Sequence, residues 1–217
     1  MPRAFTDACT QRPKMSLPIR HQQGECGTKI MKIAVLALQG AFYEHETIIR
    51  ELGADCMELR KKEDLQKPFD GLILPGGEST AQGNLLRELD MFALLQEKIK
   101  NGLPVFATCA GLILLAENIC NDDRTHFRSL PVTVKRNAYG RQLGSFHTVQ
   151  NFGGMSAVPM TFIRAPYIES VGKDVEILAR VDGNIVGVRY QNQLAISFHP
   201  ELDSDRRVHR MFLESIR

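Results

Sequence analysis

The sequence predicts an α/β fold: a three-layer, doubly wound, mainly parallel sheet with added antiparallel strands. In the first half of the chain, short apolar runs alternate with helical patterns, which is typical of parallel strands joined by right-handed crossovers. In the second half, strand-like segments follow one another with turn residues between them. The 217 residues are enough for one domain with a substantial core.

The first half begins with an apolar run at 33–38, as expected for a strand that is covered on both faces. Residues 41–52 have helical spacing, and Gly53 stands where a glycine commonly ends a helix. The remaining elements predicted in this half are strands at 56–59, 71–74 and 105–107 and helices at 84–89, 91–100 and 112–116.

The second half is predicted to be rich in strands, at 132–135, 161–164, 175–181, 185–190 and 194–197. Asp182-Gly183-Asn184 predicts a hairpin turn. A closing helix is predicted at 205–216, because Val208, Met211 and Phe212 share one helical face.

The first 30 residues differ from the rest, with five basic residues against two acidic ones and no periodic apolar pattern. We expect residues 1–30 to be a disordered extension and residues 31–217 to form the functional domain. A targeting or docking arm is the alternative for this extension, although it lacks the apolar run of a signal peptide.

Composition excludes several classes of function. A formal net charge of +2 gives no reason to expect nucleic acid as a partner, and no apolar stretch approaches the roughly 18 residues that span a bilayer. The five cysteines lack the spacing of metal ligands, and their odd number argues against a closed set of disulfides. We therefore expect a reducing, cytoplasmic setting and no metal.

Cys109 has the sequence surroundings of a nucleophile. The apolar run 103–107 ends in Thr108-Cys109-Ala110-Gly111, and an apolar helical pattern follows at once. Strand, reactive residue, small residues and helix form the layout of a nucleophile elbow. The amides at the start of the helix favour negative charge, which lowers the pKa of a thiol and can hold an oxyanion.

Two further segments complete a predicted site. Phe198-His199-Pro200-Glu201 ends another apolar run, and in an extended chain His199 and Glu201 would point the same way. A carboxylate that orients a histidine, which in turn serves a thiol, is the logic of a catalytic triad. The glycine pair in Pro75-Gly76-Gly77-Glu78 can turn its amides toward a ligand, which favours an oxyanion hole formed by the amides of Gly77 and Ala110.

In this order the P-G-G-E-S-T, T-C-A-G and H-P-E strings resemble the class I triad glutamine amidotransferases. Longer strings are similar to the glutaminase subunit of pyridoxal 5′-phosphate synthase, the PdxT family, and the likeness runs from Met31 to the C-terminus. These strings are Leu38-Gln39-Gly40, the segment 136–142 (R-N-A-Y-G-R-Q), the segment 162–166 (F-I-R-A-P) and the segment 197–201 (S-F-H-P-E).

The resemblance implies hydrolysis of L-glutamine to L-glutamate and ammonia through a cysteine thioester, without a cofactor. The ammonia would pass to a (β/α)₈ synthase subunit that makes pyridoxal 5′-phosphate (vitamin B6). The implied residues are Cys109, His199 and Glu201 for catalysis, Gly77, Glu78, Ser79, Arg136, Ile163 and Arg164 for substrate binding, and Gln39 for the interface with the partner or for gating.

Two alternatives stay open at this point. One is a glutaminase that serves another synthase, such as imidazole glycerol phosphate synthase, and the other is a non-catalytic scaffold of the same fold. The sequence also departs from the family twice: Ala107 stands where many class I members have glycine, and Arg128 follows Phe127 where a glycine is expected. His45, His126, His147 and His209 are interpreted as surface or structural residues.

Overall fold

The computed structural model describes residues 30–120, 122–136 and 144–216. The predicted N-terminal extension, apart from Ile30, lies outside the described residues. So does most of the R-N-A-Y-G-R-Q string, of which Arg136 alone is described.

A ten-stranded sheet forms the centre of the molecule. Its parallel part consists of five neighbouring strands, in the order β2 (Asp55–Leu59), β1 (Lys32–Leu36), β3 (Gly71–Leu74), β4 (Val105–Thr108) and β12 (Gln193–Ile196). The sheet continues antiparallel through β11 (Asn184–Tyr190), β9 (Tyr167–Val171) and β6 (Leu130–Lys135), and β5 (Ala116–Ile119) lies parallel to β6.

Two hairpins complete the strands. One pairs β10 (Glu176–Val181) with β11, and the other pairs β7 (Ser145–Phe152) with β8 (Met155–Ile163) in a separate two-stranded sheet. At the turn between β10 and β11, Asp182 has a φ of 49° and Gly183 a φ of 81°. Both residues thus lie in the left-handed region that a tight hairpin turn requires, which confirms the predicted turn.

Helices cover both faces of the central sheet. The first core contains residues from α2 (Ser79–Glu88), α3 (Phe92–Lys100) and α4 (Ala110–Leu115), and the second contains residues from α1 (Phe42–Glu51) and α5 (Arg207–Ser215). Along β1 the side chains alternate between the two cores: Ala34 and Leu36 face the first, and Ile33 and Val35 face the second. The three layers explain why this strand is apolar at every position after Lys32.

The predicted fold class is confirmed, and the differences are local. Three strands were not predicted: β5, β7 and β9. β5 begins directly after α4 in one apolar stretch, and β7 is mostly exposed with few apolar residues, so neither has a clear strand pattern. α2 begins at Ser79, five residues before the predicted start at 84, because the Glu78 carboxylate caps it by accepting hydrogen bonds from the N–H groups of Thr80 and Ala81.

Within residues 30–120, 122–136 and 144–216, no helix combines the length and the apolar character needed to cross a lipid bilayer.

Candidate active site

The predicted site residues lie at the carboxyl ends of the parallel strands. β1, β3, β4 and β12 point the same way, so the loops at their carboxyl ends are neighbours. These loops carry Gln39, Gly77, Cys109 and His199 respectively. Ligand sites of open α/β sheets form at such an edge.

Cys109 stands at a strained turn between β4 and α4, with a φ of 46° and a ψ of −98°. The turn is held in place because the Cys109 N–H donates to the Ile196 carbonyl at 2.9 Å. Behind it, a Cβ on Gly111 would lie 2.1 Å from the Leu74 carbonyl oxygen, so only glycine allows α4 to approach β3 this closely. A strained residue at a strand-to-helix turn is the geometry of a nucleophile elbow, as the sequence predicts.

His199 and Glu201 are in direct contact. The Nδ1 of His199 lies 2.7 Å from the Oε1 of Glu201, and both side chains are buried. The sequence led us to expect an extended chain here, and that expectation is wrong. Pro200–Leu202 forms a short 3₁₀ turn, and the two side chains meet across its start. The contact is therefore made by a turn rather than by strand geometry.

His199 and Glu201 each stabilise the charged form of the other. Burial alone would lower the pKa of His199, but interactions with the Cys109 thiol and the Glu201 carboxylate outweigh it and raise that pKa. Burial would raise the pKa of Glu201, whereas the nearby rings of His45 and His199 bring it below its usual value. The arrangement favours a protonated His199 between an anionic Glu201 and Cys109.

The Gly76-Gly77 loop packs against the His199 ring. A Cβ on Gly76 would lie 2.3 Å from the Cε1 of His199, so a side chain is excluded there. The Gly76 N–H donates to the Thr108 hydroxyl at 2.8 Å, and its carbonyl accepts from the Ala41 N–H at 3.1 Å. In a trans peptide the next N–H points away from that carbonyl. The Gly77 N–H is thus directed opposite to Ala41.

One cavity of about 310 Å³ joins nine of the predicted residues. It is lined by Gln39, Gly77, Glu78, Ser79, Cys109, Arg136, Ile163, Arg164 and His199. Glu201 lies behind His199, and Ala110 follows Cys109 as the first residue of α4. A larger depression of about 510 Å³ lies beside Asp70 and Asn192 at the amino ends of the parallel strands and contains none of the predicted site residues.

Glu78 is the most connected residue of the cavity wall. Besides capping α2, its carboxylate accepts from the Arg136 Nη2 at 3.1 Å, while the Arg136 Nη1 donates to Asp122 at 2.7 Å. The Glu78 N–H donates to the Gln39 Oε1 at 2.7 Å. The loop after β1, the start of α2 and the end of β6 are therefore tied together around the cavity.

Sequence reasoning missed two histidines next to the triad. His45 of α1 and His209 of α5 are fully buried, and the Nε2 of His45 lies 3.4 Å from the Oε2 of Glu201. His45 occupies the same helical face as the buried Ile48 and Ile49. That spacing indicates burial, but nothing in the sequence links a residue of α1 to a carboxylate near the far end of the chain.

Comparisons with known proteins agree with this geometry. The model of the SNO glutamine amidotransferase family matches residues 35–217. The chain belongs to the SNO glutamine amidotransferase family. Among curated relatives, a protein of Desulfitobacterium hafniense named pyridoxal 5′-phosphate synthase subunit PdxT is 68% identical over 86% of this chain and 94% of its own length. A protein of the same name from Streptococcus pneumoniae is 53% identical over 85% of this chain and 96% of its own length.

Solved structures give the same family fold. A crystal structure described as a glutamine amidotransferase has a TM-score of 0.80 and 43% identity, and the match covers 85% of this chain and 98% of that chain. A crystal structure described as a glutamine amidotransferase from Thermotoga maritima has a TM-score of 0.57 at 17% identity, over 86% of this chain and 81% of its own, a likeness of fold alone.

The two departures from the family pattern have different consequences. Ala107 is fully buried in β4, where it pairs with Leu74 and Ala195 in regular parallel registers. The elbow forms without a glycine there. Arg128, by contrast, has a φ of 52°, so an arginine occupies the left-handed conformation that a glycine would take without strain.

Proposed function

We propose that this chain is the glutaminase subunit of a pyridoxal 5′-phosphate synthase, which hydrolyses L-glutamine to L-glutamate and ammonia. The single observation that carries the proposal is the position of His199, between the strained Cys109 elbow and a buried Glu201 2.7 Å away. Membership of a glutamine amidotransferase family supports this reaction, and the names of the relatives support the choice of synthase.

In the first half of the reaction the proton of the Cys109 thiol is held on His199, and the Cys109 sulfur attacks the side-chain amide carbon of glutamine. The negative charge that develops on the amide oxygen is held by the N–H groups of Gly77 and Ala110. His199 then gives its proton to the nitrogen, the C–N bond breaks, and ammonia leaves a γ-glutamyl thioester on Cys109.

In the second half a water molecule attacks the thioester while His199 takes one of its protons. The C–S bond breaks, glutamate leaves, and the proton returns to the Cys109–His199 pair. Glu201 keeps the imidazole oriented and balances its positive charge in both halves. No step needs a metal or an organic cofactor.

The far end of the cavity suits the α-amino acid group of glutamine. Arg164 is exposed at the cavity wall, and its guanidinium can pair with a carboxylate through two hydrogen bonds. Arg136 holds the Glu78 carboxylate at the same wall. The Ser79 hydroxyl at this wall is buried without a hydrogen-bond partner among the described residues. Gly77 and Ile163 complete the wall.

We further propose that the ammonia passes to a synthase partner of (β/α)₈ fold, and that Gln39 lies where this partner influences the site. A cysteine nucleophile suits the reducing cytoplasm, which we infer to be the compartment of the enzyme. Neither a nucleic acid nor a membrane is proposed as a partner.

The decisive experiment compares wild type with Cys109→Ala and Cys120→Ala in glutamate release from L-glutamine. Cys109→Ala is expected to abolish hydrolysis with an unchanged melting temperature, because alanine fits where a small buried thiol stood. Cys120 is an exposed free cysteine and its replacement serves as the control. Normal turnover by Cys109→Ala would refute the assignment.

A further inference from the structure

The Glu201 carboxylate has a second oxygen, Oε2, that does not contact His199. Its Oε1 contacts His199, whereas its Oε2 is buried and accepts no aligned hydrogen bond among the described residues. The Nε2 of His45 lies 3.4 Å from Oε2 and 3.3 Å from the Thr108 hydroxyl. A buried carboxylate oxygen without a hydrogen-bond donor would destabilise the folded protein. Whether the His45 Nε2 carries a proton therefore determines how this oxygen is stabilised.

The surroundings of His45 determine which of its nitrogens carries the proton. Its Nε2 faces two oxygens, and a bare nitrogen there would turn its lone pair toward an anionic carboxylate. Its Nδ1 lies 2.9 Å from the Nε2 of His209, so one of these two nitrogens must donate to the other. The Nδ1 of His209 is buried with no partner among the described residues.

A single assignment satisfies these contacts. With a proton on the Nε2 of His209, that group donates to the Nδ1 of His45, and the unpartnered Nδ1 of His209 is a bare acceptor rather than a buried donor. The remaining proton of His45 is then on its Nε2, directed at Glu201 and Thr108. Burial lowers the pKa of both histidines, which keeps each ring neutral.

Thr108 links the same contact to the oxyanion loop. Its hydroxyl accepts the Gly76 N–H at 2.8 Å and lies beside the His45 Nε2. The Gly76 carbonyl is bonded to Ala41, immediately before the helix that carries His45. One helix therefore contacts both the carboxylate of the triad and the loop that presents the Gly77 amide.

We propose that His45 is a positioning residue, which as the neutral Nε2–H tautomer holds the second oxygen of Glu201 and, through Thr108, the Gly76-Gly77 loop. This inference rests on the proposed glutaminase reaction, because it acts through Glu201 and His199. A donor on the Oε2 keeps Glu201 anionic, which favours the protonated imidazole and, with it, the Cys109 thiolate.

The charged groups around this contact are few among the described residues. His199 and Glu44 act on His45 in addition to Glu201, and Arg206 and His45 act on His209. Cys109 and Glu201 act on His199. Among these groups, Glu201 and His199 connect His45 to Cys109, so a change at His45 is expected to affect the thiol through them.

The test compares His45→Gln with His45→Asn, two neutral amides that differ by one methylene. The glutamine amide can reach the place of Nε2, whereas the asparagine amide reaches only the place of Nδ1. The measurements are kcat and KM for glutamine and the pH dependence of Cys109 alkylation by iodoacetamide, read by mass spectrometry of the Cys109 peptide.

His45→Asn is expected to lower kcat about ten- to hundredfold, the range for loss of one hydrogen bond to a charged group, with little change in KM. It is also expected to move the midpoint of alkylation up by about one pH unit, because the thiolate loses support. His45→Gln is expected to keep both values near wild type. Equal behaviour of the two variants, or a lower melting temperature with an unmoved midpoint, would overturn the proposal.

A second measurement covers the case in which His45→Asn does not fold. Long-range ¹H–¹⁵N spectra of the wild-type histidines identify the tautomer of His45, assigned by the signal that is lost in His45→Gln. The neutral Nε2–H form is expected, and an Nδ1–H or a doubly protonated ring would overturn the proposal. Cys109→Ala separates the two claims, because its full activity would refute the glutaminase reaction itself.

Discussion

Gly40 approaches Gly76 so closely that Gly40 has no room for a side chain. A Cβ on Gly40 would lie 1.8 Å from the Gly76 carbonyl oxygen, and Gly40 itself has a φ of 105°. The N–H of the next residue, Ala41, donates to that same oxygen at 3.1 Å. The loop after β1 thereby fixes the orientation of the peptide that joins Gly76 to Gly77.

Gly40→Ala is expected to displace this peptide and with it the proposed oxyanion donor of Gly77. We expect kcat/KM for glutamine to fall about 10²–10³-fold, as when an oxyanion-hole donor is removed. Gly53→Ala is the matched control, since Gly53 also has a positive φ, 88°, but nothing lies within 4 Å of its Cβ position. It should lower the melting temperature while keeping activity, and the same kinetic loss in both variants would argue against the role of the close approach.

Glu201→Gln tests the orienting carboxylate. The amide is nearly the same size but can donate to the Nδ1 of His199, which would favour the wrong tautomer of the base. We expect kcat to fall about 10⁴-fold, as measured for the equivalent change in a serine protease triad, with KM close to wild type. Steady-state glutamate release measures this, and Glu176→Gln, an exposed carboxylate on β10, is the control. A loss below tenfold would assign Glu201 a structural role only.

Arg164→Ala tests recognition of the α-carboxylate of glutamine. Loss of a charged pair of hydrogen bonds should raise KM about 10–100-fold with a smaller effect on kcat, and Arg164→Lys should recover part of it. Arg136→Ala should raise KM as well, because it also releases Glu78 from its ion pair. Initial rates over a range of glutamine concentrations are the measurement. An unchanged KM in both alanine variants would show that the two arginines are structural.

Arg128→Gly is expected to stabilise the protein. Arginine at a φ of 52° destabilises the folded state by about 1–2 kcal/mol. Glycine removes this strain, but its greater backbone entropy stabilises the unfolded chain by about 0.5–1 kcal/mol. The net gain of up to about 1.5 kcal/mol should raise the melting temperature by up to about 3–6 °C. Arg128→Ala removes the same exposed side chain without relieving the backbone, so it should give no gain. Equal melting temperatures for the two variants would contradict this explanation.

The sequence predicts the fold class well, and it singles out the residues of the proposed triad, because both depend on local patterns. Buried parallel strands are continuous apolar runs, and Cys109 and His199 each follow such a run directly. The contact of Glu201 with His199 was also predicted, although from the wrong local geometry, because it is made across a 3₁₀ turn. A spacing of two residues brings the side chains together in this turn as well.

The contacts that the sequence did not predict are long-range or lack an apolar signature. β7 was missed because it is largely exposed, and its pairing with β8 stabilises a strand that has few apolar residues. The contact of His45 with Glu201 depends on how α1 packs against the sheet, which no spacing in the sequence encodes. The left-handed Arg128 was suggested only by the absence of an expected glycine.

Glutaminase activity is expected to depend on the synthase partner. Gln39 connects the loop after β1 to the site twice: its Oε1 accepts the Glu78 N–H at 2.7 Å, and its carbonyl accepts from the Gln82 Nε2 at 2.9 Å. A Cβ on Gly77 would lie 2.3 Å from the Gln39 Oε1, so the amide packs directly on the oxyanion loop. A partner that contacts this loop can therefore select the conformation in which Gly77 is aligned.

We accordingly expect low glutaminase activity for the isolated chain and a marked rise, mainly in kcat, when the synthase partner is added. Gln39→Ala should reduce this rise, because the link between the loop and the Glu78 amide is lost, while Gln66→Ala, an exposed glutamine in the 3₁₀ turn after β2, should not. Glutamate release is measured with the partner and with an equal concentration of an unrelated protein. Equal rates with and without the synthase partner would exclude gating and leave a constitutively active glutaminase.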